Sequence, residues 1–197
     1  MNLPNQLTVA RIIMTPIFMA AMLINFPHHY LVALVLFAAA SFTDFLDGNI
    51  ARARGIVTNF GKFLDPLADK MLTTAAYLGF MFLYSMSGGS YGWQMTTIVF
   101  IVLFREFMIA SLRLVAVSSE TKKVIPANIW GKAKTVSQMV STILIMLLMA
   151  INSTGILPEA FPLGVISQVL LWITAVLAVI SGIIYIRDGV KQIDFSK

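Results

Sequence analysis

The sequence contains no cysteine, only two histidines and very little charge: Asp, Glu, Lys and Arg make up 12% of its 197 residues. Without cysteine there is no disulfide framework, no zinc-finger spacing and no thiol nucleophile. With so little charge, 58% hydrophobic residues and a mean hydropathy of +0.86, the composition is far from that of a water-soluble domain of this length. Lipid is the expected solvent for most of the chain. The start of the sequence also lacks a charge run ahead of its apolar stretch, and no small-residue cleavage pattern follows, so it reads as mature sequence and not as a signal peptide. The basic excess, a net +5 with a pI near 9.6, is scattered at the ends of apolar segments. That argues against a nucleic-acid partner, which a cationic face would mark, and makes the cations a report of topology.

Six apolar stretches stand out, at 8–25, 30–45, 71–86, 93–117, 135–151 and 163–186. At roughly 20 apolar residues per crossing, they predict one all-α membrane domain over 1–197 with six transmembrane helices. Residues 2–11 mix Pro4, Asn5 and Gln6 with Leu3, Leu7 and Val9, a pattern that predicts a short N-terminal interfacial helix, with a frayed polar start as the equal alternative. The second and third stretches are short for a crossing unless each continues into its polar flank. Their extension would carry the acidic segment 44–69 to the membrane interface. Lys and Arg occupy alternate connections, with Arg52, Arg54 and Lys62 in one, Lys122, Lys123, Lys132 and Lys134 in another, and Arg187, Lys191 and Lys197 after the last stretch. By the positive-inside rule both termini and the Asp-rich connection face the cytoplasm of a plasma-membrane protein.

From Asp44 the sequence reads DFLDGNIARARGIVTNFGKFLDPLADK. On helices, Asp44 and Asp47 share a face, as do Asp65 and Asp69. If the two helices are antiparallel neighbours, four carboxylates point into one small volume. Ionised carboxylates that close repel strongly, and two divalent cations would cancel their charge. All-oxygen ligands favour Mg²⁺, Mn²⁺ or Ca²⁺, and paired metals are a recurrent clamp for phosphoryl displacement. Gly48, Ala51 and Gly61 would let a nucleotide approach the backbone, and Arg52 would hold a phosphate oxygen. Tight helix packing and positive-inside anchoring explain the same residues taken singly. Pro66 either follows Asp65 as an N-cap or kinks a helix begun near Gly61.

At these residues the sequence resembles the CDP-alcohol phosphotransferase family, whose signature D-x2-D-G-x2-A-R-x8-G-x3-D-x3-D is met at every fixed position by Asp44, Asp47, Gly48, Ala51, Arg52, Gly61, Asp65 and Asp69. The resemblance implies a six-helix, usually dimeric membrane fold with a cytoplasm-facing site. It implies two divalent cations, Mg²⁺ or Mn²⁺, a CDP-lipid donor and CMP as leaving group. It further implies that the first three aspartates bind metal, while Asp69 lies beside them as the general base for the acceptor hydroxyl.

Within the family, the opening NLPNQLTVARI, REFMIASLRLVA from Arg105 and VIPANIWGKAKTVSQM from Val124 are similar to the branch that transfers phosphatidyl from CDP-diacylglycerol to sn-glycerol 3-phosphate. An acceptor that is itself a phosphate dianion calls for cations, and Arg113, Lys132 and Lys134 are the candidates. Arg105 lies about 12 Å from Arg113 along a helix rising roughly 1.5 Å per residue, and an ion pair with Glu106 is its expected role. Asn5 and Thr8, with Arg11, either line the nucleotide entrance or cap and anchor the first helix. Trp93 and Trp130 read as interface anchors, and His28 and His29 fall on the side away from the aspartates. The competing readings are a relative using inositol phosphate, serine or phosphatidylglycerol, and, from another class, a cation transporter. The transporter is disfavoured because the acidic residues cluster at one side instead of continuing through the fifth and sixth stretches.

Overall fold

Each of the six apolar stretches forms a helix, the first running two residues past the end of its own. The structure, a computed structural model, describes residues 3–54, 59–88, 90–118, 129–158 and 160–190. The helices are α1 (Leu3–Leu23), α2 (His29–Arg54), α3 (Asn59–Met86), α4 (Tyr91–Ser118), α5 (Ile129–Asn152) and α6 (Leu163–Val190). No strand occurs among the described residues. Four helices, α1, α4, α5 and α6, are long and apolar enough to cross a membrane. In α2 the apolar part is the shorter span His29–Asp44, because its C-terminal portion, like the N-terminal portion of α3, is given over to the acidic segment. Both helices do continue into their polar flanks, as their short apolar runs required. Among the described residues no separate N-terminal interfacial helix forms: α1 is continuous from Leu3, and Asn5, Thr8, Arg11 and Thr15 are buried along it.

The polarity of this molecule is inverted relative to a water-soluble bundle. Large apolar side chains such as Ile13, Val35, Phe100, Phe107, Val140 and Ile183 are exposed, whereas Arg11, Lys134, Gln138, Ser141 and Thr174 are buried. Exposed apolar surface on this scale suits a membrane protein, covered by lipid or by another protein surface. Hydroxyls inside such helices do best with a local partner, and several have one. Thr15 Oγ1 donates to the Arg11 carbonyl at 2.9 Å, Thr43 to Ala40 at 2.7 Å and Ser181 to Ala178 at 3.1 Å, each bonding back onto its own preceding turn.

The chain divides into two units, Met1–Met86 with Thr142–Leu163, and Ser87–Ser141 with Gly164–Lys197. In the first, α1 packs along both α2 and α3, while α2 and α3 meet each other only slightly among the described residues. On α2, Phe37 meets Phe18 of α1 with the rings tilted and their centroids 5.5 Å apart, between the buried small residues Ala33 and Ala40. On α3, a Cβ added at Gly79 would lie 2.6 Å from Met22 Sδ, so a larger residue there requires the Met22 side chain to move. Gly79→Leu is therefore expected to destabilise the fold by about 1–3 kcal/mol through overpacking, read as a lower thermal midpoint in detergent.

In the second unit, α5 meets α6 through Ser137 and Thr174, whose hydroxyls lie 3.0 Å apart, and through Ser141 donating to the Leu170 carbonyl. Ile109 of α4 and Tyr185 of α6 form a buried cluster covered by Met108 and Leu112. Gly88 and Gly155 take positive φ, 76° and 75°, in turns that other residues enter with strain.

Candidate active site

Asp44 and Asp47 stand three residues apart on α2, and Asp65 and Asp69 four apart on α3, so each pair shares a helix face. Pro66 lies inside α3, which decides between its two readings: the helix begins earlier, at Asn59, and Gly61 sits buried in its first turn. The side chains of Asp47, Ala51, Arg52 and Asp65, and the surroundings of Gly48, lie outside the described residues. Among the described residues no three His, Cys, Asp or Glu side chains gather as a ligand group, since only Asp44 and Asp69 of the four contribute there.

Asp44 accepts a hydrogen bond and ion pair from Arg11 Nη1. Arg11 is fully buried, whereas the Asp44 side chain is 38% exposed. A guanidinium held in the helix interface thus anchors one carboxylate and leaves part of it open. Asp69 is half-buried, and its carbonyl accepts from Thr73 Oγ1 at 3.2 Å. The donor set is carboxylate oxygen throughout, which suits hard divalent cations, and the partly open Asp44 is consistent with a role as ligand. Asn5 and Thr8 are buried on the same α1 stripe as Arg11. The sequence reading placed Arg11 with this set but did not find its pairing with Asp44, because nothing in spacing alone matches a residue of α1 to one 33 positions later.

The second unit holds a separate cationic cluster. Glu106 Oε1 accepts from Arg105 Nη1 at 2.8 Å and from Lys134 Nζ at 2.6 Å. Lys134 also donates to Gln138 Oε1 at 2.5 Å, and Arg105 Nε donates to Ser181 Oγ at 3.0 Å. Arg105 forms the ion pair its depth implied. Lys134 is only 2% exposed, so it is a fixed, buried cation and not a free surface one. Arg113 is exposed and donates from Nε to the Tyr185 hydroxyl at 2.9 Å. Lys132 is exposed. Trp93 and Trp130 are exposed too, at 63% and 42%, which suits anchors in an interface. Gln138, Ser181 and Tyr185 escaped the sequence reading. The one usable signal was Gln138, four residues after Lys134 and so on its helix face.

The sequence profile of the CDP-alcohol phosphatidyltransferase family matches residues 1–180. The chain belongs to this family. Members generally depend on divalent metal. Among its relatives is a Bacillus subtilis (strain 168) protein named CDP-diacylglycerol–glycerol-3-phosphate 3-phosphatidyltransferase, 36% identical over 193 residues, covering 92% of this chain and 91% of the relative. A Rickettsia bellii protein of the same name is 35% identical over 190 residues, covering 94% of each. A Mycobacterium tuberculosis (H37Rv) protein named probable phosphatidylglycerophosphate synthase is 35% identical over 195 residues, covering 98% of this chain and 83% of the relative.

Proposed function

We propose that the chain transfers the phosphatidyl group of CDP-diacylglycerol to sn-glycerol 3-phosphate, forming phosphatidylglycerophosphate and releasing CMP. The observation that carries this reading is the complete eight-residue signature, set on α2 and α3 of a chain whose relatives, matched over nearly their whole length, are named for that reaction. The acceptor hydroxyl attacks the phosphatidyl phosphorus in line. The new O–P bond forms as the diphosphate P–O bond breaks, CMP departs, and the hydroxyl proton passes to the Asp69 carboxylate. Asp44, Asp47 and Asp65, with Asp69 beside them, would hold two divalent cations, Mg²⁺ or Mn²⁺. When bound, such ions supply charge stabilisation at the diphosphate. Arg11 holds the Asp44 carboxylate in place.

Gly48, Ala51 and Gly61 allow close approach of the nucleotide, Arg52 meets a phosphate oxygen, and Asn5 and Thr8 belong to the donor site. Arg113 and Lys132 receive the acceptor phosphate, with Lys134 adding its charge from a buried position held by Glu106 and Gln138. The chain is one membrane domain with six spans, both termini and the site on the cytoplasmic side of the plasma membrane, and it works as a homodimer among lipids. The positive-inside distribution of Lys and Arg supports that orientation.

Purified protein given CDP-diacylglycerol and one acceptor at a time is expected to release CMP with sn-glycerol 3-phosphate, and not with serine, inositol phosphate or phosphatidylglycerol. CMP release that follows serine and ignores glycerol 3-phosphate would overturn the choice of acceptor.

A further inference from the structure

Tyr185 is 3% exposed and sits in the apolar cluster with Ile109, Met108 and Leu112. A phenol buried in such surroundings needs a polar partner for its hydroxyl. It finds one in Arg113, whose Nε donates to the hydroxyl oxygen at 2.9 Å. The guanidinium carbon also lies 5.6 Å from the centroid of the Tyr185 ring, within cation–π range. Arg113 is otherwise exposed. Among the described residues no carboxylate pairs with it, and its Nη atoms make no hydrogen bond to protein.

This arrangement differs from that of the other two cations assigned to the acceptor. Lys134 is buried, with Glu106 and Gln138 accepting from its ammonium. Lys132 is an exposed, flexible side chain. Arg113 alone of the three combines exposure with a held guanidinium. Its inner nitrogen is spent on the protein, and its outer pair is left in the planar fork that matches two oxygens of a phosphate.

We infer that Tyr185 is a positioning residue for the acceptor: its hydroxyl and ring fix the Arg113 side chain so that the Nη pair meets the phosphate of sn-glycerol 3-phosphate already oriented. Ordering a long side chain at the moment of binding costs affinity, and ordering it beforehand removes that cost. The inference rests on the reading that Arg113 receives the acceptor phosphate. It adds a residue of α6 that touches neither substrate.

The test is steady-state kinetics with varied glycerol 3-phosphate at saturating CDP-diacylglycerol. Tyr185→Phe removes the hydroxyl and keeps the ring and its packing. It is expected to raise the KM for glycerol 3-phosphate about three- to tenfold, the scale of one ordinary net hydrogen bond. The kcat and the KM for CDP-diacylglycerol should each move by less than about twofold, with the thermal midpoint held. Arg113→Ala is expected to raise the same KM further, and adding Tyr185→Phe to it should change nothing more, since the two side chains act as one unit. Arg113→Lys leaves Tyr185 intact but removes the fork and the Nε donor, and should raise the KM at least as much as Tyr185→Phe. An unchanged KM in Tyr185→Phe beside a raised one in Arg113→Ala would overturn the positioning role alone, as would additivity in the double variant. An unchanged KM in Arg113→Ala would overturn the acceptor reading itself.

Discussion

Asp69→Asn is expected to lower turnover by about 10²–10⁴-fold, the span usual for loss of a general base, while CDP-diacylglycerol still binds. The amide has the size of the carboxylate and keeps α3 intact, because the backbone carbonyl at this position, which accepts from Thr73 Oγ1, is untouched. What disappears is the capacity to take a proton. A carboxylate beside divalent cations is a weak base in isolation, but an alcohol oriented in the same field is a stronger acid, so the transfer is still downhill in the transition state. Asp44 should behave differently. It is anchored by Arg11 and assigned to metal, so its loss should weaken donor binding as well as turnover. The measurements are CMP release under single-turnover conditions and retention of radiolabelled CDP-diacylglycerol by the purified protein. Turnover of Asp69→Asn within about tenfold of the parent, well short of a general-base loss, would remove Asp69 from the base role.

Glu106→Ala should cause the largest loss of stability of any single change considered. One oxygen, Glu106 Oε1, serves both Arg105 at 2.8 Å and Lys134 at 2.6 Å, and the three side chains are only 11%, 2% and 21% exposed. Removing the carboxylate leaves two like charges facing each other in a poorly solvated interior. Stranding one partner of a buried pair typically costs about 3–5 kcal/mol. Glu106→Gln keeps an oxygen acceptor and loses only the charge, so its thermal midpoint in detergent should fall between those of the parent and of Glu106→Ala. Pairing Glu106→Ala with Lys134→Met should recover part of the loss, since a buried ion pair exchanged for apolar groups is often close to neutral. A Glu106→Ala midpoint equal to that of the parent would show that the cluster is solvated and contributes little.

The helices were legible because hydropathy is a property of single segments, and each of the six apolar stretches marks a helix. The continuation of α2 and α3 through the acidic segment was legible as well, since 30–45 and 71–86 were too short to cross alone. Less could be read where two segments must be matched. Periodicity did not reveal that α1 packs along α3, because that depends on Gly79 receiving Met22. Nor did it reveal that residues near the start of α1 are buried: a polar start reads as interfacial until Arg11 is seen beside Asp44. For Lys134 the charge was visible in the sequence, but its burial by Glu106 and Gln138 was not. The signature residues were the opposite case, since eight identities at set spacing point to the family without any knowledge of packing.

The place of α1 against both α2 and α3 also bears on the order in which the protein is built. Helices that touch in the sequence in which they are synthesised can associate as they emerge, without waiting for distant segments. Arg11 is already present when Asp44 is made, 33 residues later, so the first motif carboxylate meets its counter-charge during biogenesis. A counter-charge for the first signature carboxylate thus stands earlier in the chain than the carboxylate itself.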